Sequence, residues 1–279
     1  MITVTAATGH LGRLVIAELL DRGVPASEIT AAVRTPSKAA DLGVRVVEAD
    51  YDRPETLAPA FAGTDKLLFI SGDTLEQHTN VVDAARAAGV GLIVYTSGLR
   101  ADTSSLTLMS GKHAPTEQAI AASGIPSVFL RNGWYLENHT GQIEQFLATG
   151  AILGAAGDGR VSSATRADLA AAAAAVLVDP TPGSTYELGG DEAFTLAELA
   201  AEISRQSGRT VVYKNLAEAE YAETLTGFGV PAPFAAVLAN ADHGLSIGDL
   251  FVDSGDLHRL IGRAPTTLSE AVAAALKSA

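Results

Sequence analysis

Two hydrophobic periods alternate along the first half of the chain. Short β-branched or wholly apolar runs at 2–5, 29–33, 44–48, 66–71, 91–97 and 127–131 are each followed by a segment of different pattern. The runs have strand length, and the least interrupted, KLLFIS at 66–71, reads as a strand buried on both faces. In the segments between, apolar residues recur at helical spacing. Leu11, Leu14, Val15, Leu19 and Leu20 give the first such segment one apolar face, and Gly23 ends it. Further helices are predicted at 54–61, 76–88 and 109–123, the last two closed by Gly89 and Gly124. Strands and helices alternating at this rhythm predict an α/β fold, a Rossmann-type doubly wound parallel sheet with helices on both faces. Beyond Gly150 the elements shorten. Helices are predicted at 166–178, 195–207, 217–227 and 268–277, an isolated strand at 211–213, and glycine-rich connections at 154–159 and 183–190.

In such a sheet, ligands lie outside the carboxyl ends of the strands, so the strand ends are where chemistry is expected. The first strand runs into Gly9 and Gly12 and then into a helix. The two glycines let the turn tighten and the helix pack closely, and the unpaired N–H groups at the helix start favour a pyrophosphate. Arg34 stands just past the second strand, with Lys38 one helical turn on and no acid beside them. An arginine there accepts the 2′-phosphate of NADP(H), where an acid would bind the free 2′-OH of NAD. A solvated surface arginine is the alternative. Asp50 and Tyr51 end the third strand, where Asp50 can accept from the adenine amine and Tyr51 can lie against the ring, although a helix N-cap by Asp50 or Asp52 fits the same pattern. Ser71, Gly72, Tyr95, Thr96 and Ser97 end the fourth and fifth strands. After the sixth come Asn132, Trp134, Tyr135 and Asn138, a cluster suited to floor a site for a flat substrate or the nicotinamide, with core packing of Trp134 as the alternative. The predicted organisation is a dinucleotide-binding unit over 1–150, to which part of the later chain returns, and a smaller C-terminal α/β substrate lobe over 151–279 closing over the crevice.

Composition narrows the partners. With 279 residues and 47% hydrophobic content the chain can bury a large core. A net charge of −13 repels phosphate backbones, so neither nucleic acid nor an anionic membrane is an expected partner. The absence of cysteine excludes disulfides and thiolate metal sites, and no metal is expected. The first strand begins without a charged and apolar leader, and no stretch has the length of a membrane span, so a cytoplasmic location is expected. A homodimer is compatible with the pattern, since a dimerising helix and a helix packed on its own sheet share one periodicity.

Eight segments carry a resemblance that runs nearly end to end: TAATGHLG at 5–12, VPASEITAAVRTPSKA at 24–39, EADYDRPETL at 48–57, KLLFISG at 66–72, YTSGLRADTS at 95–104, LRNGWYLEN at 130–138, AAGDGRVSSATRADLAAAAA at 155–174 and YELGGDEAFTLAELAAEIS at 186–204. In these the chain resembles an atypical short-chain dehydrogenase/reductase of the NmrA-like kind, and within it the bacterial NAD(P)H:quinone oxidoreductases and the triphenylmethane dye reductases. The resemblance implies that Thr8, Gly9, His10 and Leu11 cradle the pyrophosphate and that Arg34 binds the 2′-phosphate. It places Asp50 and Tyr51 by the adenine, Ser71, Gly72, Tyr95 and Thr96 along the nicotinamide half, and His113 at the nicotinamide ribose; a helix-surface histidine is the alternative for His113.

There are departures. Ala6 replaces the family's first glycine, and His10 a glutamine common in close relatives. The segment between Gly72 and Asn80 is shorter. The active-site tyrosine and lysine of classical members are absent, since their places fall near Met109 and His113. A quinone needs little beyond hydride delivery, because water can protonate the hydroquinone anion, whereas an ordinary ketone would miss its proton donor. The implied activity is therefore NADPH-dependent reduction of a small aromatic or quinonoid substrate, with Ser97 and His113 as catalytic candidates and Asn132, Trp134, Tyr135 and Asn138 shaping the acceptor site. The alternatives are a non-catalytic NADP(H)-binding sensor and a reductase of dyes or activated ketones and imines.

Overall fold

The computed structural model describes residues 1–106 and 111–278. Along the first half, strands and helices alternate as β1 (Ile2–Val4), α1 (His10–Asp21), β2 (Ile29–Val33), β3 (Arg45–Glu48), α2 (Leu57–Ala60), β4 (Lys66–Ile70), α3 (Leu75–Ala88), β5 (Leu92–Gly98), α4 (His113–Ala122) and β6 (Ser127–Asn132). The expected helix start at 109–110 lies outside the described residues. The later chain adds α5 (Glu137–Thr140), α6 (Ile143–Thr149), β7 (Ala151–Gly154), α7 (Arg166–Val178), β8 (Thr185–Leu188), α8 (Leu196–Ser207), β9 (Val212–Asn215), α9 (Glu218–Gly227), α10 (Ala232–Ser246), α11 (Asp256–Ile261) and α12 (Leu268–Ser278).

Seven strands form one sheet in the order β3-β2-β1-β4-β5-β6-β8, every neighbouring pair parallel. The order reverses between β1 and β4, which opens a crevice at their carboxyl ends. Side chains leave opposite faces alternately. Leu68, Val94, Val128 and Leu130 meet α1, α7 and α11 in one core, while Leu67, Phe69, Ile93 and Tyr95 meet α2, α3 and α4 in another. Helices thus cover both faces, and the strands read as nearly continuous apolar runs for that reason.

Two sequence expectations need correction. The glycine-rich stretch 183–190 contains β8, which pairs with β6 from Phe129↔Thr185 to Asn132↔Leu188. The strand near 211–213 is not isolated: β9 pairs in parallel with β7, from Ala151↔Val212 to Gly154↔Asn215. In both cases a four-residue strand bounded by glycine carries too little periodicity to be separated from a loop. The small β7–β9 sheet and α5, α6, α8, α10 and α12 enclose a third core, which includes Leu106, Leu136, Phe194 and Leu250.

Candidate active site

The phosphate-binding end is built from backbone. Gly9 is the N-cap of α1 and has no side chain to satisfy the first-turn N–H groups, and no acid stands in that turn. A Cβ at Gly12 would lie 2.6 Å from the Ala6 carbonyl and 2.7 Å from the Ala7 Cα, so only glycine lets α1 approach β1 this closely. Ala6 itself adopts a positive φ of 46°, the conformation a glycine takes without strain. Arg13 fixes the turn to the next loop, Nε donating to the Thr8 carbonyl (3.3 Å), Nη2 to the Lys38 carbonyl (2.6 Å) and Nη1 to Asp41 (2.7 Å).

A cavity of about 290 Å³ opens along these loops, bordered by Thr8, Gly9, Arg34, Lys38, Asp50, Tyr51, Ser71 and Gly72 among others. Arg34 and Lys38 are exposed, and neither side chain is paired among the described residues. Asp50 closes its own turn, Oδ1 accepting from the Asp52 N–H (3.1 Å), and caps no helix. The Tyr51 hydroxyl points into the fold, 2.5 Å from Thr5 Oγ1 and 2.8 Å from the Ile70 carbonyl, which leaves the ring to line the cavity. Burial pushes this phenol up. Gln77, at the start of α3, donates to Asp52 (2.9 Å) and accepts from the Asp73 N–H (2.7 Å), tying that helix to the adenine-side loop. Unpaired helix-start donors, two free cations at the far end and a glycine floor are the donor set a phosphorylated dinucleotide requires.

A second cavity, about 160 Å³, shares Ser71 with the first and is lined by Thr96, Ser97, His113, Asn132, Trp134, Tyr135 and Asn138, together with Leu99, Leu106 and Leu250. Here the polar side chains are bonded to one another. Ser97 Oγ donates to Glu117 Oε1 (2.6 Å), and Glu117 receives Arg131 through Nε (3.0 Å) and Nη2 (2.7 Å). Arg131 Nη1 also reaches Asp102 and Glu187, both at 2.9 Å. The Ser97 proton is thereby committed, so toward the cavity this hydroxyl can only accept. Arg166 lies over the Tyr135 ring, 4.4 Å from its centroid, and donates to Asn138 Oδ1 (3.1 Å). Asn132 Oδ1 is buried with no partner among the described residues. His113 lines the cavity with its inner edge on Tyr95, Nδ1 lying 2.8 Å from the hydroxyl. Burial, reinforced by Lys112 and His78 nearby, holds this imidazole down at about 3, so it is neutral at pH 7.

The four acceptor-site residues expected from sequence thus border one cavity, and most of the cofactor-side residues border the other. Three stand apart. The His10 side chain is exposed, Leu11 is buried in the core against the sheet, and Tyr95 is fully buried beneath the floor. His78, Glu117 and Arg131 carried no role in the sequence reading. Two of them had a signal: a histidine on the apolar face of α3 with Val81, Val82 and Ala85, and an arginine directly after the apolar run Val128, Phe129 and Leu130, both polar groups that burial obliges to find partners. Among the described residues, no group of three or more His, Asp or Glu is placed to hold a metal, and no helix is long and apolar enough to cross a membrane.

A family model described as NAD(P)H-binding matches residues 6–180. The chain belongs to this NAD(P)H-binding family. Within the family it is an NmrA-like oxidoreductase. Quinone oxidoreductase 2 of Escherichia coli (strain K12) is 50% identical over 280 residues, spanning 98% of this chain and 97% of that protein. The crystal structure of the NADPH-dependent quinone oxidoreductase from Escherichia coli complexed with NADPH matches with a TM-score of 0.96 and 49% identity, covering 99% of this chain and 100% of the other. That of the Citrobacter sp. triphenylmethane reductase complexed with NADP(H) matches with a TM-score of 0.93 and 43% identity, covering 99% and 100%.

Proposed function

We propose that the protein is an NADPH-dependent oxidoreductase that passes hydride to a quinone or a similarly conjugated, electron-poor acceptor. One observation carries this reading: the two cavities meet at Ser71, so a dinucleotide with its 2′-phosphate at Arg34 would bring its nicotinamide to the mouth of the aromatic-walled second cavity. The relatives named above are reductases of quinones and of triphenylmethane dyes, acceptors of this electronic class.

In this reading NADPH supplies the hydride, and the chain supplies position and polarity. The N–H groups of His10 and Leu11, with Thr8 and Gly9, hold the pyrophosphate, and Arg34 with Lys38 holds the 2′-phosphate. Asp50 and Tyr51 border the adenine, and Ser71, Gly72 and Thr96 flank the nicotinamide half, with Tyr95 acting from beneath. Trp134, Tyr135, Asn132 and Asn138 form the wall against which a flat acceptor stacks. Hydride arriving at a conjugated ring carbon of a quinone shifts the C=C pair to the carbonyl oxygen as an enolate, the keto tautomer of the hydroquinone monoanion, which becomes the hydroquinone by proton exchange with water. Water then supplies the proton, so no strong acid is needed. His113 and Ser97 are the polar groups nearest the reacting atoms. We assign residues 1–150 to the nucleotide-binding unit, with α7 and β8 returning to it, and most of 151–279 to the lobe that closes the acceptor cavity.

The test is turnover of purified protein with NADPH or NADH against benzoquinone, naphthoquinone, triphenylmethane dye and activated-ketone acceptors, followed by nicotinamide absorbance. Quinone reduction with NADPH preferred over NADH is expected. Tight NADPH binding without turnover of any acceptor would replace the enzyme by a cofactor-binding sensor.

A further inference from the structure

His113 belongs to a chain of buried hydrogen bonds that begins at the cofactor cavity, and the donor at each link can be assigned. The Gly72 N–H points at His78 Nε2 from 2.8 Å, so that nitrogen carries the lone pair. The Gly72 carbonyl, 3.3 Å from the same atom, is the poorer partner, and a proton on Nε2 would collide with the amide hydrogen. The His78 proton therefore sits on Nδ1 and is donated to Thr116 Oγ1 (2.7 Å), whose own proton goes to the Lys112 carbonyl (2.7 Å). Tyr95 Oη lies 3.4 Å from His78 Nδ1, a nitrogen already protonated, and 2.8 Å from His113 Nδ1. The Thr116 hydroxyl also borders the phenol but is already taken up by His78 and the Lys112 carbonyl, so among the described residues the base that best receives the phenol proton is His113 Nδ1. The remaining imidazole proton is then on Nε2, which has no partner among the described residues and belongs to a ring lining the acceptor cavity.

We propose that His78 and Tyr95 are positioning residues that hold His113 in its neutral Nε2–H tautomer, and that this N–H is the hydrogen-bond donor to the acceptor oxygen on which charge develops during hydride transfer. The inference rests on the oxidoreductase reading for its last step only; the tautomer follows from the hydrogen bonds alone. The geometry suits a fixed dipole. His78, His113 and Tyr95 pack with ring centroids 5.7 to 6.5 Å apart, and Phe69 closes the cluster 5.2 Å from His78 and 5.0 Å from Tyr95. Gly72 is closely packed at this point, since a Cβ there would lie 2.6 Å from Gln77 Oε1 and 2.9 Å from the Tyr51 ring. Burial raises the Tyr95 phenol and lowers both imidazoles, His78 to about 4, so the chain donates hydrogen bonds without passing a proton on. The donor replaces, in a different chemical form, the phenol missing from this site: it stabilises the anion while water completes the reaction.

The first test is a ¹⁵N–¹H imidazole spectrum of the cofactor-free protein at pH 7. A His113 signal with Nδ1 unprotonated and Nε2 protonated is expected, and in Tyr95→Phe that signal should change to a mixture of tautomers while the circular dichroism spectrum of the folded protein persists. Protonated Nδ1 in the wild type, or an unchanged His113 signal in Tyr95→Phe, overturns the proposal whatever the turnover assay gives. Kinetics provide the second test. Removing a preorganised donor costs about 10²–10³ in kcat, so His113→Leu should lose activity on that order with little change in KM for NADPH. His113→Gln, which returns an N–H near the Nε2 position, should recover at least tenfold over His113→Leu. Equal loss in the two variants, with NADPH binding intact, overturns the donor role. Absence of turnover in the wild type with every quinone overturns the oxidoreductase reading, and with it the step at the acceptor, while the spectrum still decides the tautomer.

Discussion

The two ends of the crevice are built on opposite principles. At the phosphate end the working groups are backbone N–H donors and two exposed cations, Arg34 and Lys38, whose side chains have no partner among the described residues. At the acceptor end the polar side chains are buried or half-buried and most are bonded to a neighbour: Ser97 to Glu117, Glu117 to Arg131, His113 to Tyr95. A charged ligand brings its own counter-charge, so the first end can leave cations unpaired in solvent. A neutral, flat acceptor brings none, so most of the polar groups around it are satisfied from behind. Substitutions of the exposed cations at the phosphate end should therefore affect ligand binding and leave stability alone, whereas those in the bonded network at the acceptor end should cost stability as well.

The sharpest contrast is Arg131→Met. Arg131 and Glu117 have side chains 11% and 9% exposed, and loss of the guanidinium leaves a buried carboxylate whose one remaining side-chain donor among the described residues is Ser97. A destabilisation of about 3–5 kcal/mol is expected from breaking a buried pair on one side, read as a lower urea midpoint with unchanged slope. A loss below about 1 kcal/mol would place this network with ordinary surface pairs and dissolve the distinction.

How much of each end was legible follows the same division. Gly9, Gly12, Arg34 and Asp50 lie at fixed offsets from strand ends, and their chemistry is local, so sequence spacing finds them. Asn132, Trp134, Tyr135 and Asn138 border one cavity together, as residues that end or follow a single strand can. Leu106 and Leu250, which complete that cavity, come from distant segments with no local mark. His78, Tyr95 and His113 become a unit only when α3, β5 and α4 pack together, and a periodicity that identifies each element says nothing of which side chains meet between them. β7 and β8 escaped notice for a simpler reason, their four-residue length.

The second prediction concerns acid. His139, beside Trp134 and Phe194, is half-buried with its Nε2 enclosed and unpartnered among the described residues, and desolvation of the ring lowers it to about 4. The unfolded chain binds this proton near pH 6.5 and the folded chain does not until about pH 4. This group's contribution is therefore full above pH 6.5, falls as the pH drops through that window, and levels off below it. The loss amounts to a few kcal/mol. In His139→Phe the slope of unfolding free energy between pH 6.5 and 4.5 should decrease by up to one proton's worth. An unchanged slope would mean that the imidazole titrates normally and that this side of the cavity is open to water.

At the other end, Arg34→Ala should leave the unfolding free energy within about 0.5 kcal/mol and weaken NADPH by about 1.5–3 kcal/mol for each charge-assisted bond lost, with NADH binding unchanged. Isothermal titration with both cofactors measures this directly. Equal weakening of the two would remove Arg34 from the 2′-phosphate and break the assignment of the phosphate end.

The smallest effect probes the turn itself. Ala6 holds φ at +46°, with its carbonyl accepting from the Gly9 N–H at 2.9 Å and facing Gly12 across the close approach of α1. A left-handed alanine costs about 1–2 kcal/mol, and Ala6→Gly would remove that strain. Glycine also frees the unfolded chain, which returns about 0.4–1 kcal/mol to the other side. The difference is a stabilisation of up to about 1 kcal/mol, seen as a small rise in Tm. Because Ala6 borders the phosphate cavity, loss of its methyl should leave NADPH affinity unchanged or tighten it by less than tenfold. A clear destabilisation would mean that the methyl group makes contacts worth more than its strain, and that the turn is shaped around alanine.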